Sequence, residues 1–167
     1  MERLRVGILG ATGMVGRQFV RLLAAHPWFK IVAVAASPAS ADRSYFEAVK
    51  DRWEQGVVPA CVRDLQVQRV DEAVETIAAQ ADLVFCAVAL DKDATATIEE
   101  RYARSEVAVV SANSAHRWTP DVPMLIPEIN PEHSRIIVDQ RRRLGTEYGF
   151  VAVKPNCSIQ PYMPALH

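Results

Sequence analysis

Short apolar runs alternate with amphipathic segments along most of the chain. LRVGIL (4–9) and IVAVAA (31–36) have the continuous apolar character of buried strands. Between them, MVGRQFVRLLAA (14–25) spaces its apolar residues as one face of a helix does, through Val15, Phe19, Leu22 and Leu23. These three segments predict one strand–helix–strand unit.

The same alternation returns further along the chain. DEAVETIAAQ (71–80) and ATATIEERYARS (94–105) have helical patterns, whereas DLVFCAVA (82–89), VAVVSA (107–112) and GFVAV (149–153) resemble strands. Repeated units of this kind form parallel sheets with crossover helices on both faces. We therefore predict an α/β fold, a Rossmann-type doubly wound and mostly parallel sheet.

Between VAVVSA and GFVAV, the sequence predicts an irregular segment followed by a helix. WTPDVPMLIPEINP (118–131) contains four prolines, which exclude a central strand or a helix interior and predict an ordered, extended loop. A helix is expected from near Glu132 to the basic triplet 141–143. The helix dipole favours such a triplet at a helix C-terminus, an interpretation that we prefer to phosphate binding.

Charge and cysteine usage narrow the class of partner. Lys and Arg number 19 against 20 Asp and Glu, so no broad basic field favours nucleic acid or an anionic membrane, and a small-molecule substrate is the expected partner. The N-terminal segment lacks a signal-peptide pattern, and no apolar run is long enough for a transmembrane helix. Cys61, Cys86 and Cys157 form no C-x-x-C pair, so we predict no metal site and a reduced, cytoplasmic setting.

A glycine-rich stretch, GATGMVG (10–16), directly follows the first predicted strand and opens the first predicted helix. Gly10 allows a tight turn, Gly13 leaves room for a pyrophosphate against main-chain N–H groups, and Gly16 permits close packing of helix on sheet. The spacing is G-x-x-G-x-x-G rather than G-x-G-x-x-G. Its context favours a dinucleotide site over an ordinary turn.

The end of the second predicted strand bears on cofactor choice. In AASPASADRS (35–44), Ser37 and Ser40 precede the first carboxylate, Asp42, so the strand tip has no acid to bind the 2′-hydroxyl of NAD. The hydroxyls and the guanidinium of Arg43 suit a 2′-phosphate. NADP is therefore the preferred cofactor over NAD, and the alternative is a polar loop that caps the next helix.

Cys157 follows the strand-like GFVAV and a Lys-Pro-Asn turn, and the residues after it can begin a helix. Unpaired N–H groups at a helix N-terminus stabilise a thiolate, which suits a nucleophile. A packed, inert thiol is the alternative interpretation.

Three motifs together resemble a known family. GATGMVG, then SANSAHRWTPDVPMLIPEINPEH, then KPNCS, in this order, resemble aspartate-semialdehyde dehydrogenase of the archaeal and fungal-like branch, over nearly all of the chain. The resemblance implies reductive dephosphorylation of L-aspartyl 4-phosphate, with NADPH as hydride donor. It also implies that residues 1–153 form the dinucleotide-binding domain and that 154–167 begin a catalytic and dimerisation domain.

The resemblance also assigns site residues. Cys157 matches the nucleophile and Asn156 its neighbour, while Arg117, with Asn113, matches the phosphate- and substrate-binding position. Ala87 belongs to a segment (85–94) that, by this resemblance, passes near the nicotinamide. The cofactor-binding positions that the resemblance implies are Gly10, Thr12, Gly13, Met14 and Val15 at the pyrophosphate, Ser37, Ser40 and Arg43 at the 2′-phosphate, and Ala87 and Ser111.

The sequence departs from the family pattern at several positions. It has Ser111, Ala112 and Asn113 where Ser-Asn-Ala is frequent, Lys154 where asparagine is common, and no glycine near Asp42. Family members are longer, form homo-oligomers and carry the acid/base histidine beyond the cysteine. We therefore expect this chain alone to be inactive.

Two other functions remain open. One is a related reductase, acting on N-acetyl-glutamyl phosphate or on malonyl-CoA, and the other is a non-catalytic NADP-binding module.

Overall fold

The computed structural model describes residues 2–54 and 56–167. The chain divides into two compact units, the first ending at Ala89 and the second running from Leu90 to His167. Each unit is built from parallel strands and helices.

The first unit contains a four-stranded parallel sheet in the order β3–β2–β1–β4. Its strands are β1 (Leu4–Leu9), β2 (Phe29–Ala36), β3 (Val67–Arg69) and β4 (Leu83–Cys86). Its helices are α1 (Met14–Leu23), α2 (Tyr45–Val49), α3 (Ala60–Arg63) and α4 (Val74–Ala78). The core is apolar, and it includes buried Val6 and Ile8 of β1 and Val20 of α1.

The second unit contains two parallel strands, β5 (Ala108–Ser111) and β6 (Phe150–Val153). Its helices are α5 (Lys92–Arg104), a 3-10 turn (Pro131–Ile136) continued by α6 (Ile137–Leu144), and α7 (Met163–Leu166). Gln140 of α6 is fully buried and exchanges hydrogen bonds with both main-chain groups of Val151. That exchange fixes α6 against β6.

This architecture confirms the predicted α/β fold of the Rossmann type. The strand at 4–9 has the predicted bounds, whereas the helix expected over 71–80 is limited to Val74–Ala78 and the strand expected over 82–89 ends at Cys86. Residues 87–91 form neither helix nor strand, and the last of them, Asp91, caps α5 by accepting from the Ala94 N–H (2.8 Å).

The proline-rich segment 118–131 is irregular up to the 3-10 turn that begins at Pro131, as predicted, and it lies alongside β6, with a parallel bridge between Met124 and Val153. The Leu125 N–H donates to the Val153 carbonyl, and the Val153 N–H donates to Pro123, both at 2.9 Å. The basic triplet 141–143 occupies the last turn of α6, which Gly145 ends in a left-handed conformation (φ 74°). In the described parts of the chain, every helix is too short or too polar to cross a bilayer.

Candidate functional site

The glycine loop occupies the turn between β1 and α1. Gly10 has a φ of 77°, and a Cβ at this position would lie 2.3 Å from the main-chain oxygen of Ala87. A Cβ on Gly16 would lie 2.1 Å from the main-chain oxygen of Gly10. Both positions therefore require glycine for the fold itself, and Gly10 brings Ala87 directly beside the loop.

Gly13 differs from these two glycines. A Cβ there would meet only the Gly10 oxygen, at 3.3 Å, which a shift of a few tenths of an ångström relieves, so the fold needs glycine less here than at Gly10 or Gly16. No side chain caps α1, and its first turn, which is fully described, contains no acidic residue. Gly13, Met14 and Val15 are exposed, whereas Thr12 is buried. The Gly13 N–H donates to the Gly10 carbonyl (3.0 Å), but the N–H groups in the first turn of a helix have no intrahelical acceptor and suit a pyrophosphate, so this cradle fits a dinucleotide.

Tyr45 of α2 supports the loop from beneath, a role that sequence reasoning missed. Its buried hydroxyl donates to the Ala11 carbonyl (3.1 Å), and its ring packs edge-on against Trp53. Burial raises the pKa of the Tyr45 phenol. The phenol therefore stays neutral and keeps the proton with which it holds the loop.

The segment after β2 forms a compact turn. The N–H groups of Ser40 and Ala41 donate to the Ser37 carbonyl, and the Arg43 guanidinium donates to the Ala39 carbonyl (2.6 Å). Ser37 and Arg43 are exposed, whereas Ser40 is buried. Helix α2 is capped by Ser44, which accepts from the Glu47 N–H (3.3 Å).

Asp42 adopts a left-handed conformation within this turn, with a φ of 63°. Glycine adopts this conformation without strain, and aspartate is among the few other residues that tolerate it. Because this left-handed position holds aspartate rather than glycine, a carboxylate lies next to Arg43 in the chain.

In the second unit, the loop after β5 is held by a buried carboxylate. The Glu99 side chain on α5 is fully buried, and its Oε1 accepts from Ser111 Oγ (2.5 Å) and Asn113 Nδ2 (3.1 Å). Ser111 Oγ in turn accepts from the Asn113 N–H (3.0 Å). The side chains of Ser111 and Asn113 are thus directed at Glu99. Sequence reasoning missed Glu99, although it lies on the buried helical stripe of Thr95, Ile98 and Tyr102.

Arg117 contacts the chain just before the cysteine. Its Nε donates to the Lys154 carbonyl (3.3 Å) and its Nη2 to the Pro155 carbonyl (3.4 Å). No carboxylate within the described ranges 2–54 and 56–167 forms an ion pair with Arg117. The half-buried guanidinium keeps its remaining donors and its full charge for an anion.

Cys157 and Asn156 are exposed and lie in a turn. Asn156 Oδ1 accepts from the Ser158 N–H (2.8 Å), and its carbonyl accepts from the N–H groups of Ile159 and Gln160. Residues 157–162 form turns, and the helix expected after Cys157 is the short α7, which begins at Met163. Pro161 delays the regular helix, because it has no N–H to donate to the Cys157 carbonyl.

A cavity of about 420 Å³ adjoins this turn. Arg117, Asn156 and Asn130 supply its polar groups, and most of its remaining lining is apolar, including Ile126 and Ile159. Small-molecule sites commonly combine apolar walls with a few polar groups that fix orientation.

The two units divide the predicted residues between them. The first unit holds the predicted cofactor residues, with the exception of Ser111. The second brings Arg117 and Asn156 to one cavity and joins Ser111 and Asn113 through Glu99.

The parallel fold and the open glycine cradle define a dinucleotide-binding α/β domain. The family model of the semialdehyde dehydrogenase NAD binding domain matches residues 5–137, so the chain belongs to that family.

Relatives with assigned functions agree with this membership. The chain is 40% identical to aspartate-semialdehyde dehydrogenase of Archaeoglobus fulgidus over 93% of its own length and 43% of that protein. It is 36% identical to malonyl CoA reductase (NADP) of Metallosphaera sedula, over 94% of this chain and 42% of that protein. The chain therefore spans less than half the length of these curated relatives.

A solved structure supports the same family membership. The crystal structure of aspartate semialdehyde dehydrogenase with NADP from Candida albicans superposes with a TM-score of 0.80 at 34% identity. The match covers 99% of this chain and 47% of the other.

Proposed function

We propose that the chain is the cofactor-binding, nucleophile-bearing part of an NADP-dependent aspartate-semialdehyde dehydrogenase. The observation that carries the proposal is the contact of Arg117 with the carbonyls of Lys154 and Pro155, which brings a guanidinium to the chain segment that ends in Cys157. A cation beside a nucleophilic thiol suits an acyl phosphate, whose leaving group is an anion. The Archaeoglobus and Candida relatives support this substrate class.

NADP is the proposed cofactor. Exposed Ser37 and Arg43 follow β2, and no carboxylate lies in the strand tip itself, so the turn offers donors for a 2′-phosphate. The Candida structure contains NADP, and the Metallosphaera relative is named for it.

In the proposed reaction, Cys157 Sγ bonds to the acyl carbon of L-aspartyl 4-phosphate. The carbon–oxygen bond to phosphate breaks, and the phosphate leaves with the electron pair while Arg117 neutralises its charge. When bound, the reduced dinucleotide would supply the hydride that turns this thioester into the alkoxide of a thiohemiacetal, which takes a proton from a general acid to become a hydroxyl. The carbon–sulfur bond then breaks as the hydroxyl loses its proton, and the aldehyde leaves with Cys157 restored as thiolate.

A general base must accept that hydroxyl proton. We propose that it lies outside these 167 residues, together with the groups that bind the substrate carboxylate, and that residues 154–167 lead into the domain that carries them. On this proposal the chain alone binds NADP without sustained turnover, and the whole protein acts as a homo-oligomer in the cytoplasm.

The Metallosphaera relative favours one second candidate, reduction of an acyl-CoA such as malonyl-CoA. The cysteine would form the same thioester, but coenzyme A thiolate rather than phosphate would leave. The leaving group therefore distinguishes the two candidates.

Two exposed thiols in one chain allow an internally controlled experiment. Cys157 and Cys61 are both exposed, and Cys61 lies in the first unit at α3. We would alkylate the purified chain with iodoacetamide, with and without inorganic phosphate, and measure the rate at each cysteine by peptide mass spectrometry. We expect faster alkylation at Cys157 than at Cys61, and protection by phosphate at Cys157 only.

Intact-mass measurement then tests the acyl group directly. L-Aspartyl 4-phosphate should add an aspartyl group that the Cys157→Ala variant does not acquire, whereas malonyl-CoA should add none. Transfer from malonyl-CoA alone would favour the second candidate. Equal, slow alkylation at both cysteines with no acyl transfer would favour a non-catalytic NADP-binding module.

A further inference from the structure

The Glu99 carboxylate is an unusual feature of the second unit because it is fully buried. Taking a carboxylate out of water costs several kcal/mol unless hydrogen bonds or opposite charges compensate, so buried carboxylates need partners. Oε1 has two, the Ser111 hydroxyl and the Asn113 amide. Oε2 is buried without a hydrogen-bond partner and lies 4.0 Å from His116 Nε2.

The two oxygens therefore face opposite ends of one loop. Ser111 and Asn113 begin it, and His116 ends it immediately before Arg117. The buried His116 ring is fixed further by Thr119 Oγ1, 3.1 Å from Nδ1, and by the Ala96 carbonyl, 3.4 Å from Nε2. One side chain on α5 thus holds the start of the segment 111–116 by hydrogen bonds and lies next to its end.

The start of this loop is also tied to the chain that leads to Cys157. The Lys154 N–H donates to the Ser111 carbonyl (3.0 Å), and Arg117 Nε donates to the Lys154 carbonyl (3.3 Å). A shift of Ser111 would therefore displace both Arg117 and the carbonyls that orient it. The path from Glu99 to Arg117 runs through hydrogen bonds alone.

We propose that Glu99 is a positioning residue for Arg117, acting through Ser111 and the loop 111–117. The inference rests on the proposed role of Arg117 in binding phosphate. Glu99 itself, having no exposed surface, makes no contact with the substrate.

The test uses the phosphate protection of Cys157 in the full 167-residue chain, with Cys61 as the internal reference. The quantity measured is the concentration of inorganic phosphate that halves the alkylation rate at Cys157. The variants are Glu99→Gln, which removes the charge at nearly constant shape, Ser111→Ala, and the double variant. Glu100→Gln is the matched control, because it removes the same charge from the next residue of α5, which pairs with Arg143 and Arg104 instead.

We expect Glu99→Gln and Ser111→Ala each to raise the required phosphate by about tenfold, because the first removes the charge from the Ser111–Glu99 hydrogen bond and the second removes the bond itself. If both act through the same contact, the double variant should require no more phosphate than the worse single variant. The alkylation rate at Cys61 should not change in any of these variants. Should Glu99→Gln fail to fold, Ser111→Ala tests the same contact with the charge retained.

Other results would overturn the inference in recognisable ways. A phosphate requirement in both Glu99→Gln and Ser111→Ala equal to that of Glu100→Gln would make the Glu99 cluster purely structural. Additive effects in the double variant would show that Glu99 does not act through Ser111. If phosphate fails to protect Cys157 even in the unmodified chain, the proposed phosphate role of Arg117 fails, and the inference falls with it.

Discussion

The Arg117 guanidinium donates to the main-chain carbonyl of Pro155, two residues before Cys157. A second donor of the same side chain binds the Lys154 carbonyl. Because both partners are neutral carbonyls, these bonds fix the orientation of the guanidinium without neutralising its charge. An anion that enters the cavity lined by Arg117 and Asn156 would then meet an oriented cation rather than a flexible one.

Substitution of Arg117 tests this arrangement. Arg117→Ala should weaken phosphate protection of Cys157, because a charge-assisted contact is lost. The phosphate concentration that halves the alkylation rate should rise by at least about tenfold. Arg117→Lys should recover only part of the effect, since an ammonium cannot bind the two carbonyls and a phosphate with a planar fork. Arg142→Ala is the control, because Arg142 pairs with Asp139 on the surface of α6. Equal protection in Arg117→Ala and Arg142→Ala would contradict the proposal.

The glycine loop offers a pair of substitutions with opposite expected effects. Gly16→Ala should destabilise the fold by about 3 kcal/mol, because its Cβ would overlap the Gly10 carbonyl, which is main chain and has little freedom to move. Gly13→Ala should change the free energy of unfolding by less than about 1 kcal/mol, since its φ of -73° suits alanine, yet weaken NADP binding by about tenfold or more. Thermal unfolding and calorimetric titration measure the two effects. Unchanged NADP affinity in Gly13→Ala would place the pyrophosphate elsewhere.

We expect cofactor choice to depend on the charges of Asp42 and Arg43 in the turn after β2. Arg43→Ala should weaken NADP binding by about tenfold and leave NAD binding unchanged, because only NADP carries the 2′-phosphate. Asp42→Gly should strengthen NADP binding by a small factor, since it removes a negative charge while glycine keeps the left-handed backbone. Calorimetry with both dinucleotides measures these changes, with Arg21→Ala on α1 as the control. A parallel loss of NAD and NADP affinity in Arg43→Ala would exclude a 2′-phosphate role.

The α/β class and the glycine loop could be predicted because they rest on local patterns. Apolar runs and helical spacing determine which faces are buried. The turn at 10–16, between a strand and a helix, needs glycine wherever a Cβ would overlap the main chain. Element ends were less predictable. The helix expected after Cys157 begins only at Met163, because Pro161 has no N–H to donate to the Cys157 carbonyl.

The contacts that organise the candidate site could not be predicted from spacing. Tyr45 reaches Ala11 across 34 positions, and Arg117 reaches Pro155 across 38. Glu99 is a polar residue on the buried face of α5, where the sequence pattern predicts apolar residues. Its partner Ser111 on β5 depends on how α5 packs in the second unit. These are tertiary contacts, which no local pattern specifies.

The turn before β6 provides a pH-dependent test of stability. Glu106 lies just after α5 in a left-handed conformation (φ 63°), and its carboxylate accepts from the N–H groups of Glu147, Tyr148 and Gly149 at 2.7 to 3.1 Å. The bond from Tyr148 is the largest cause that lowers the pKa of Glu106 from its ordinary value of 4.5. The ionised form is therefore more favourable in the folded chain than in the unfolded chain.

The sign of the effect follows from that shift. With a folded pKa below the unfolded one, the stabilisation is complete above about pH 4.5 and is lost as the pH falls through the lowered folded pKa. Glu106→Gln should lower the melting temperature by roughly 3 °C at neutral pH, as expected when an exposed group loses charge-assisted hydrogen bonds worth on the order of 1 kcal/mol. The difference from the unmodified chain should shrink towards zero in acid. Glu128→Gln, at an exposed residue in the proline-rich loop, should show no such difference at any pH, and a Glu106→Gln effect that persisted unchanged in acid would show that its origin is not the ionised carboxylate.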